Sequence, residues 1–264
     1  MDFGLNGKIA LICGGSSGLG KAVAEGLVAE GVRVALNGRD LPRIDAAAAE
    51  IRVRTPGCEV RSFAADVSRA ADAGRLVGQV QQDMGGLDIL LCNAGGPPPG
   101  AFEEHEPAAW QAALELNLLS TVHLCRAAVP LMRSRGWGRV LCVASIAAKQ
   151  PAKGLILSTT VRAGVLGFAK ALADEVAGNG VTVNVLCPGY IATERLQFLA
   201  AERGRRQGRP VDEMLAEQTA GVPMGRTGRP EEFAAVAVFL SSERASYLTG
   251  TALSVDGGLH RSIL

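Results

Sequence analysis

The run Cys13-Gly14-Gly15-Ser16-Ser17-Gly18-Leu19-Gly20 constrains this chain more than any other stretch. Before it comes Ile9-Ala10-Leu11-Ile12, a short continuous apolar run of the kind a buried strand shows. After it, Lys21 to Glu30 carries apolar residues at helical spacing. The glycines therefore fall on a strand-to-helix turn. Glycine lets backbone approach a ligand closely, and a helix start offers N–H groups that have no intrahelical partner. Such a turn is a cradle for an anion, and the pyrophosphate of a dinucleotide would sit against Gly14, Ser16, Ser17, Gly18, Leu19 and Gly20. A glycine-rich turn alone is equally a flexible connection. The strand before it, the helix after it and the motifs further along favour the cradle.

From there strands and helices alternate. Besides 9–12, strands are expected at 33–36, 58–64, 87–92, 139–143, 181–187 and 251–255. Helices are expected at 41–54, 70–84, from near Trp110 to Arg135, at 155–178 and at 230–241. The polar stretch 193–221, with Glu, Arg and Gln at helical spacing, reads as a mobile helical lid. The alternation predicts an α/β fold: one Rossmann-type domain over 1–264, a doubly wound, seven-stranded parallel sheet with helices on both faces. Ligands of such sheets bind outside the carboxyl ends of the strands, where most of the motifs fall.

Composition narrows the partners. With 264 residues, 48% hydrophobic and 20% charged, the chain can bury a sizeable core. A net charge of +1 leaves no electrostatic footprint for nucleic acid or an anionic membrane. The six cysteines (Cys13, Cys58, Cys92, Cys125, Cys142, Cys187) have no CxxC spacing and read as buried thiols of a reducing compartment. His105, His123 and His260 form no metal-ligand pattern. The first apolar run is too short for a signal peptide, and no stretch reads as long enough to cross a bilayer. The expectation is a cytoplasmic protein with a small-molecule substrate, bound to neither nucleic acid nor membrane.

Across its whole length the chain resembles the short-chain dehydrogenase/reductase family, and within it the 3-oxoacyl-carrier-protein reductase-like group. The matching residues are the Gly14/Gly18/Gly20 turn, Asp66-Val67, Asn93-Ala94-Gly95, Asn117 within Leu116-Asn117-Leu118, Ser145 after the fifth strand, and Pro188-Gly189 with Thr193. The tail Arg226-Thr-Gly-Arg-Pro-Glu-Glu through Ser246-Tyr-Leu-Thr-Gly and Val255-Asp256-Gly257-Gly258 matches as well. The resemblance implies a nicotinamide dinucleotide held by the glycine turn, with Asp66 on the adenine amine and Val67 against the ring. Asn93, Ala94 and Gly95 would pack the ribose side. Pro188, Gly189, Ile191 and Thr193 would frame the nicotinamide, Thr193 reaching its carboxamide. Asn117 would hold a water that kinks its helix. The family also implies a homotetramer built through the helices of Asn117 and Ser158, the 230–241 helix and the last strand. The spans 114–131 and 155–172, apolar on more than one face, are consistent with that.

The residues after the second strand bear on the cofactor. An NAD enzyme usually places an acid there for the ribose 2′-OH. Here Asn37-Gly38-Arg39 holds the place, and no acid comes before Asp40. The fixed charge and fork of Arg39 suit a 2′-phosphate, so NADP(H) is expected over NAD(H). A solvated loop charge is the plainer alternative.

At the reacting end the pattern breaks. The family's chemistry rests on Ser, Tyr and Lys, helped by Asn: Tyr protonates the developing alkoxide, and Lys lowers the Tyr pKa and grips the nicotinamide ribose. Ser145 matches, but Ser158 and Arg162 stand where Tyr and Lys belong. The following run, Arg162 to Lys170, keeps the family register without a gap. A serine hydroxyl is a far weaker acid than a phenol, and Arg stays charged where Lys can relay a proton. Cofactor binding should survive this exchange, with Arg162 still able to hold the ribose; ordinary proton donation should not. Substitute donors are Lys149, four residues after Ser145, then Tyr190 after Pro188-Gly189, and a water held by Ser145, Ser158 and Asn117. Three readings follow: an oxidoreductase with a non-standard site, an NADP(H)-binding scaffold or sensor, and a redox-neutral lyase or isomerase.

Overall fold

The structure, a computed structural model, describes residues 2–263. The chain runs β1 (Ile9–Cys13), α1 (Gly18–Ala29), β2 (Arg33–Gly38), α2 (Leu41–Arg54), β3 (Val60–Ala64), α3 (Ala70–Met84) and β4 (Ile89–Cys92). It continues with α4 (Pro107–Ala113), α5 (Ser120–Ser134), β5 (Gly138–Val143), α6 (Ile156–Val176) and β6 (Val181–Pro188). It closes with α7 (Glu194–Gln207), α8 (Val211–Ala220), α9 (Pro230–Ser241) and β7 (Ala252–Val255). The seven strands form one sheet in the order β3-β2-β1-β4-β5-β6-β7, parallel at every pairing.

Strand β1 is buried along its whole length. Both faces are covered, so its sequence is a continuous apolar run and not an alternation. Its side chains divide between two cores: Leu11 and Cys13 join the layer of α3, α5 and α6, whereas Ala10 and Ile12 join the layer of α1, α2 and α9. Within the second layer α9 lies on α1. Phe233 there is fully buried, and truncating such a side chain to Ala costs about 3–5 kcal/mol. The sheet winds outward from β1 to β3 and then returns to β4 on the other side of β1. That reversal opens a crevice at the carboxyl ends of β1 and β4.

The bounds of α2, α3 and α9 coincide with those expected from the sequence. The helix expected from near Trp110 to Arg135 does not run through unbroken. Leu114–Leu119, between α4 and α5, winds as a π-helical segment. Ser120 Oγ donates to the Leu116 carbonyl at 2.6 Å and Thr121 Oγ1 to that of Asn117 at 3.2 Å, so side-chain hydroxyls compete for carbonyls of the ladder. The lid is two helices, α7 and α8, separated at Gly208 (φ 65°) and Pro210. All six cysteines are free; Cys58 is half-buried and the other five are buried.

One expectation needs correction. Ile156–Asn179, α6 with its closing turn, spans 24 residues at a mean hydropathy of 1.3, long and apolar enough to cross a membrane by length and composition. Its apolar residues serve the core of this fold: Leu157, Val161, Val165, Ala169, Ala173 and Val176 are buried, and the helix packs on β6. One buried apolar face with few charged residues beside it gives this helix a composition close to that of a membrane span.

Candidate active site

A cleft of about 540 Å³ runs along the carboxyl ends of the strands. Its floor begins at the turn between β1 and α1. Gly14 (φ 60°) and Gly18 (φ 55°) adopt the left-handed conformation that L side chains avoid. A Cβ on Gly20 would overlap the Gly14 carbonyl oxygen, so this helix packs against the turn only as glycine. Ser17 occupies the N-cap of α1, yet its side chain makes no capping hydrogen bond. The first N–H groups of α1 are thus left available to an anion. Ser16, Ser17, Gly18 and Leu19 line the cleft with Gly14, whereas Gly20 lies behind them. A cradle that an added Cβ would fill, with an uncapped helix start, fits a dinucleotide pyrophosphate.

Asn93 braces this turn from β4: its Nδ2 donates to the carbonyls of Cys13 at 3.2 Å and Gly14 at 3.4 Å. Beside it, Asn37 at the end of β2 is buried and donates to the carbonyls of Phe63 at 3.0 Å and Ala65 at 3.3 Å, tying β2 to β3. Arg39 is exposed at the cleft rim and makes no ion pair among the described residues. Asp66 Oδ1 accepts from the Ser68 N–H at 3.1 Å and hydroxyl at 2.7 Å, so it shapes the turn before α3 while still lining the cleft with Val67. Partial burial raises the Asp66 carboxyl, but the two Ser68 bonds and the charges of Arg39 and Arg69 outweigh it and hold the group below its usual range. Ala94 and Gly95 complete this wall.

At the other end of the same cleft stand Ser145, Ser158 and Arg162. Ser145 caps the short turn after β5, its Oγ accepting from the Ala147 N–H at 3.1 Å. Ser158, near the start of α6, is buried at 9% exposure, and its hydroxyl makes no hydrogen bond within the described protein. One turn further, Arg162 Nη1 donates to the carbonyls of Val143 at 2.9 Å and Ala144 at 2.7 Å. The guanidinium thereby closes the end of β5. Burial first, and then the charge of Arg195, push its pKa down to about 10, still high enough to keep it charged at neutral pH. Asn117, inside the π-helical segment, is buried; its Nδ2 donates to the Gly95 carbonyl at 2.7 Å and its Oδ1 has no protein partner. A buried acceptor without a partner and a π-helical turn both recur at functional sites.

Pro188, Gly189, Ile191 and Thr193 line the cleft below the lid. Gly189 fits because a Cβ there would lie 2.6 Å from that of Asp256. Thr193 is the N-cap of α7, accepting from the Leu196 N–H at 3.4 Å, and it also faces Gly18 of the cradle. Tyr190 lines the cleft; Lys149 does not. The Cys187 thiol is pushed up to about 11 by burial, while the charges of Lys149 and Arg162 pull the other way.

Residues 14–260 match the family model described as enoyl-(acyl carrier protein) reductase. The chain is 38% identical over 261 residues to a D-beta-hydroxybutyrate dehydrogenase of Cupriavidus necator, covering 96% of this chain and 98% of the relative. This protein belongs to the short-chain dehydrogenase/reductase family. A 3-oxoacyl-[acyl-carrier-protein] reductase of Haemophilus influenzae is 33% identical, over 98% of this chain and all of that one. Among solved structures, L-sorbose reductase from Gluconobacter frateurii, complexed with NADPH and L-sorbose, superposes with a TM-score of 0.94 at 36% identity over the whole of both chains. Actinorhodin polyketide ketoreductase with NADPH follows at 0.92 and 32%, covering 97% of this chain and 98% of that one. This short-chain dehydrogenase/reductase therefore stands among oxidoreductases.

Two residues of this short-chain dehydrogenase/reductase gain a place that sequence reasoning did not give them. Asn37 reads as a mere absence of the ribose-binding acid, yet it lines the cleft and ties β2 to β3 through the carbonyls of Phe63 and Ala65. Arg195 reads as one of five arginines on a solvated lid, yet it turns into the cleft. The signal that separates it is the lack of a carboxylate partner among the described residues, which only the folded lid reveals.

Proposed function

We propose that this protein is an NADP(H)-dependent oxidoreductase with a non-standard Ser145/Ser158/Arg162 site, acting on a small carbonyl, imine or conjugated alkene. The observation that carries the reading is the continuity of one cleft from the glycine cradle to Ser145, Ser158 and Arg162. When bound, a nicotinamide dinucleotide supplies or accepts a hydride. The chain's own residues do the rest. The cradle and Asp66 hold the adenosine half, Arg39 takes a 2′-phosphate, and Thr193 and Gly189 limit the nicotinamide pocket. Arg162 fixes the end of β5 and keeps a positive charge where negative charge develops. Ser145 and Ser158 offer hydroxyls to a substrate oxygen, but neither is an acid of useful strength at neutral pH. Tyr190, on the cleft wall, is the better-placed proton donor; Lys149 lies outside the lining. Substrates that need little help with a proton, such as an iminium ion or an activated alkene, suit this set.

A second reading, a scaffold or sensor that binds NADP(H) without turnover, draws on Arg162 itself. Its Nη1 is committed to two backbone carbonyls, a structural role that leaves no proton relay. Fluorescence titration with NADPH and NADH, followed by deuterium transfer from labelled NADPH to a panel of ketones, imines and enones, separates the two. Tight NADPH binding with label transfer supports the oxidoreductase; binding without transfer supports the scaffold; binding of neither dinucleotide removes both.

The assembly is proposed to be a homotetramer. The α9 and β7 face leaves Phe239, Leu248 and Leu253 exposed, the kind of apolar surface a second copy would cover. Elution from a sizing column as a monomer at micromolar concentration would contradict it.

A further inference from the structure

The lid carries five arginines, and four have partners. Arg203 pairs with Glu217 at 2.8 Å, Arg205 with Glu202 at 3.0 Å, Arg206 with Glu104 at 2.6 Å, and Arg209 with Glu213 at 3.0 Å and also with Glu217. These form a solvated, self-neutralised surface. Arg195 differs on each count. It is half-buried and lines the cleft. No carboxylate pairs with it among the described residues: the neighbouring Glu194 faces Arg43 at 3.6 Å, and Asp66 is held by Ser68. Its one hydrogen bond is from Nη2 to the Pro97 carbonyl at 2.6 Å, and it stacks at 5.3 Å over Phe198.

Its location is costly. Arg195 sits in the first turn of α7, where the helix dipole disfavours a cation. It also shares the cleft with the buried Arg162, and the two charges act on each other. Burial without a counter-charge pushes its pKa down. Two guanidinium groups in one concave site, neither opposed by an acid, are a local conflict that the fold alone does not require. The guanidinium lies against Gly96, next to Gly95, whose carbonyl Asn117 holds. That places the guanidinium beside the Gly95-Gly96 wall that Asn117 braces.

We infer that Arg195, with the charge of Arg162 behind it, is the recognition site for an anionic group of the substrate, a carboxylate, in the same cleft as Ser145 and Ser158. This rests on the proposed oxidoreductase reading and names its substrate class: small oxo acids or their reduced or imino counterparts. A carboxylate fits the planar guanidinium fork, and with Arg195 half-buried the bond forms where part of the water is excluded, which strengthens a charge-assisted hydrogen bond. The other source of such an anion is the cofactor's own phosphate, and the experiment distinguishes the two.

Short 2-oxo and 3-oxo acids are each compared with their methyl esters, which keep the carbonyl and lose the charge. Binding to the protein–NADPH complex is read by calorimetry, with the NADPH affinity of each variant measured on the same samples. The expected result is that at least one acid binds about tenfold tighter than its ester, and that Arg195→Gln removes the difference while Arg195→Lys keeps part of it. NADPH affinity in Arg195→Gln should stay within about threefold of wild type. Equal binding of every acid and ester, binding of neither, or a preference that survives in Arg195→Gln would overturn the inference. A loss of NADPH affinity of about tenfold or more in Arg195→Gln would also overturn it, by assigning the anion to the cofactor. If wild-type protein binds no NADPH, the functional reading fails by itself; the acid–ester comparison is then run on the cofactor-free protein, where the same outcomes decide for or against Arg195.

Discussion

The two ends of the cleft obey different rules. At the cradle, each residue fits the family pattern and has a geometric reason: positive φ at Gly14 and Gly18, close approach at Gly20, an uncapped helix start at Ser17 and a brace from Asn93. At the reacting end, backbone positions match while side chains do not. Ser145, Ser158 and Arg162 line the same cleft, but the hydroxyl of Ser158 is unengaged and Arg162 is tied to the carbonyls closing β5. Binding a dinucleotide depends on backbone shape, which many substitutions elsewhere leave intact. Protonating a product depends on one acid of the right strength, which one substitution removes. A chain can thus keep the first function while the second is rebuilt.

The largest effect that can break this comparison lies at the cradle. In Gly20→Ala the new methyl group meets a backbone oxygen, so the turn must shift, and NADPH affinity should fall on the order of a hundredfold. Gly74→Ala is the control: nothing lies within 4 Å of its Cβ on the exposed side of α3, and the change should raise stability by about 0.5–1 kcal/mol in a urea melt. Retained NADPH affinity in Gly20→Ala would mean that the turn is not the phosphate site.

A middle-sized effect sharpens the cofactor assignment. Arg39→Ala removes an exposed cation that makes no ion pair among the described residues, and the preference for NADPH over NADH should drop by about ten- to a hundredfold, the worth of a charge-assisted bond. A preference that does not change would return Arg39 to a solvated loop charge.

The smallest effect concerns pH. The Asp66 carboxyl is held below its ordinary value of 3.8 by Ser68 and nearby arginines despite the opposing effect of burial. A depressed carboxylate pKa contributes stability that is present above the unfolded value and is lost as pH falls through the folded one. Asp66→Asn should therefore leave acid stability flatter below pH about 4 than in wild type. At neutral pH it should weaken NADPH binding by only about two- to threefold. Melts and titrations at pH 3 to 7 check both signs.

Much of this was legible in the chain, and the reasons are local. Glycines that must be glycine, β1 buried on both faces, and helices punctuated by Pro230 and Gly85 can each be read from a few neighbouring residues. The absence of Tyr and Lys at 158 and 162 was equally plain. What could not be read depends on distant residues. Arg195 meets Pro97 across the cleft, and Arg206 meets Glu104 and Pro99, contacts that join positions far apart in the chain. The lid arginines look alike in sequence, and only these contacts separate four surface pairs from one cation in the cleft. The π-helical segment around Asn117 is a local feature, with the Ser120 and Thr121 hydroxyls bonded to carbonyls of the ladder; apolar spacing alone reads as one continuous helix, and only the family resemblance implied a kink there. The extent of α6 was legible from its apolar spacing, but that the same stretch also meets the length and composition of a membrane span was missed, because a core helix and a membrane helix have similar compositions.

The central claim is that dinucleotide binding and proton donation are separable here. Its most direct test is the double variant Ser158→Tyr with Arg162→Lys, assayed for NADPH affinity and for ketone reduction at saturating NADPH. The account predicts NADPH affinity within about threefold of wild type and a ketone turnover raised on the order of a hundredfold, the usual worth of a placed general acid. A folded double variant with unchanged NADPH affinity and no gain in ketone turnover would contradict it, because the limit would then lie in the pocket and not in the missing acid.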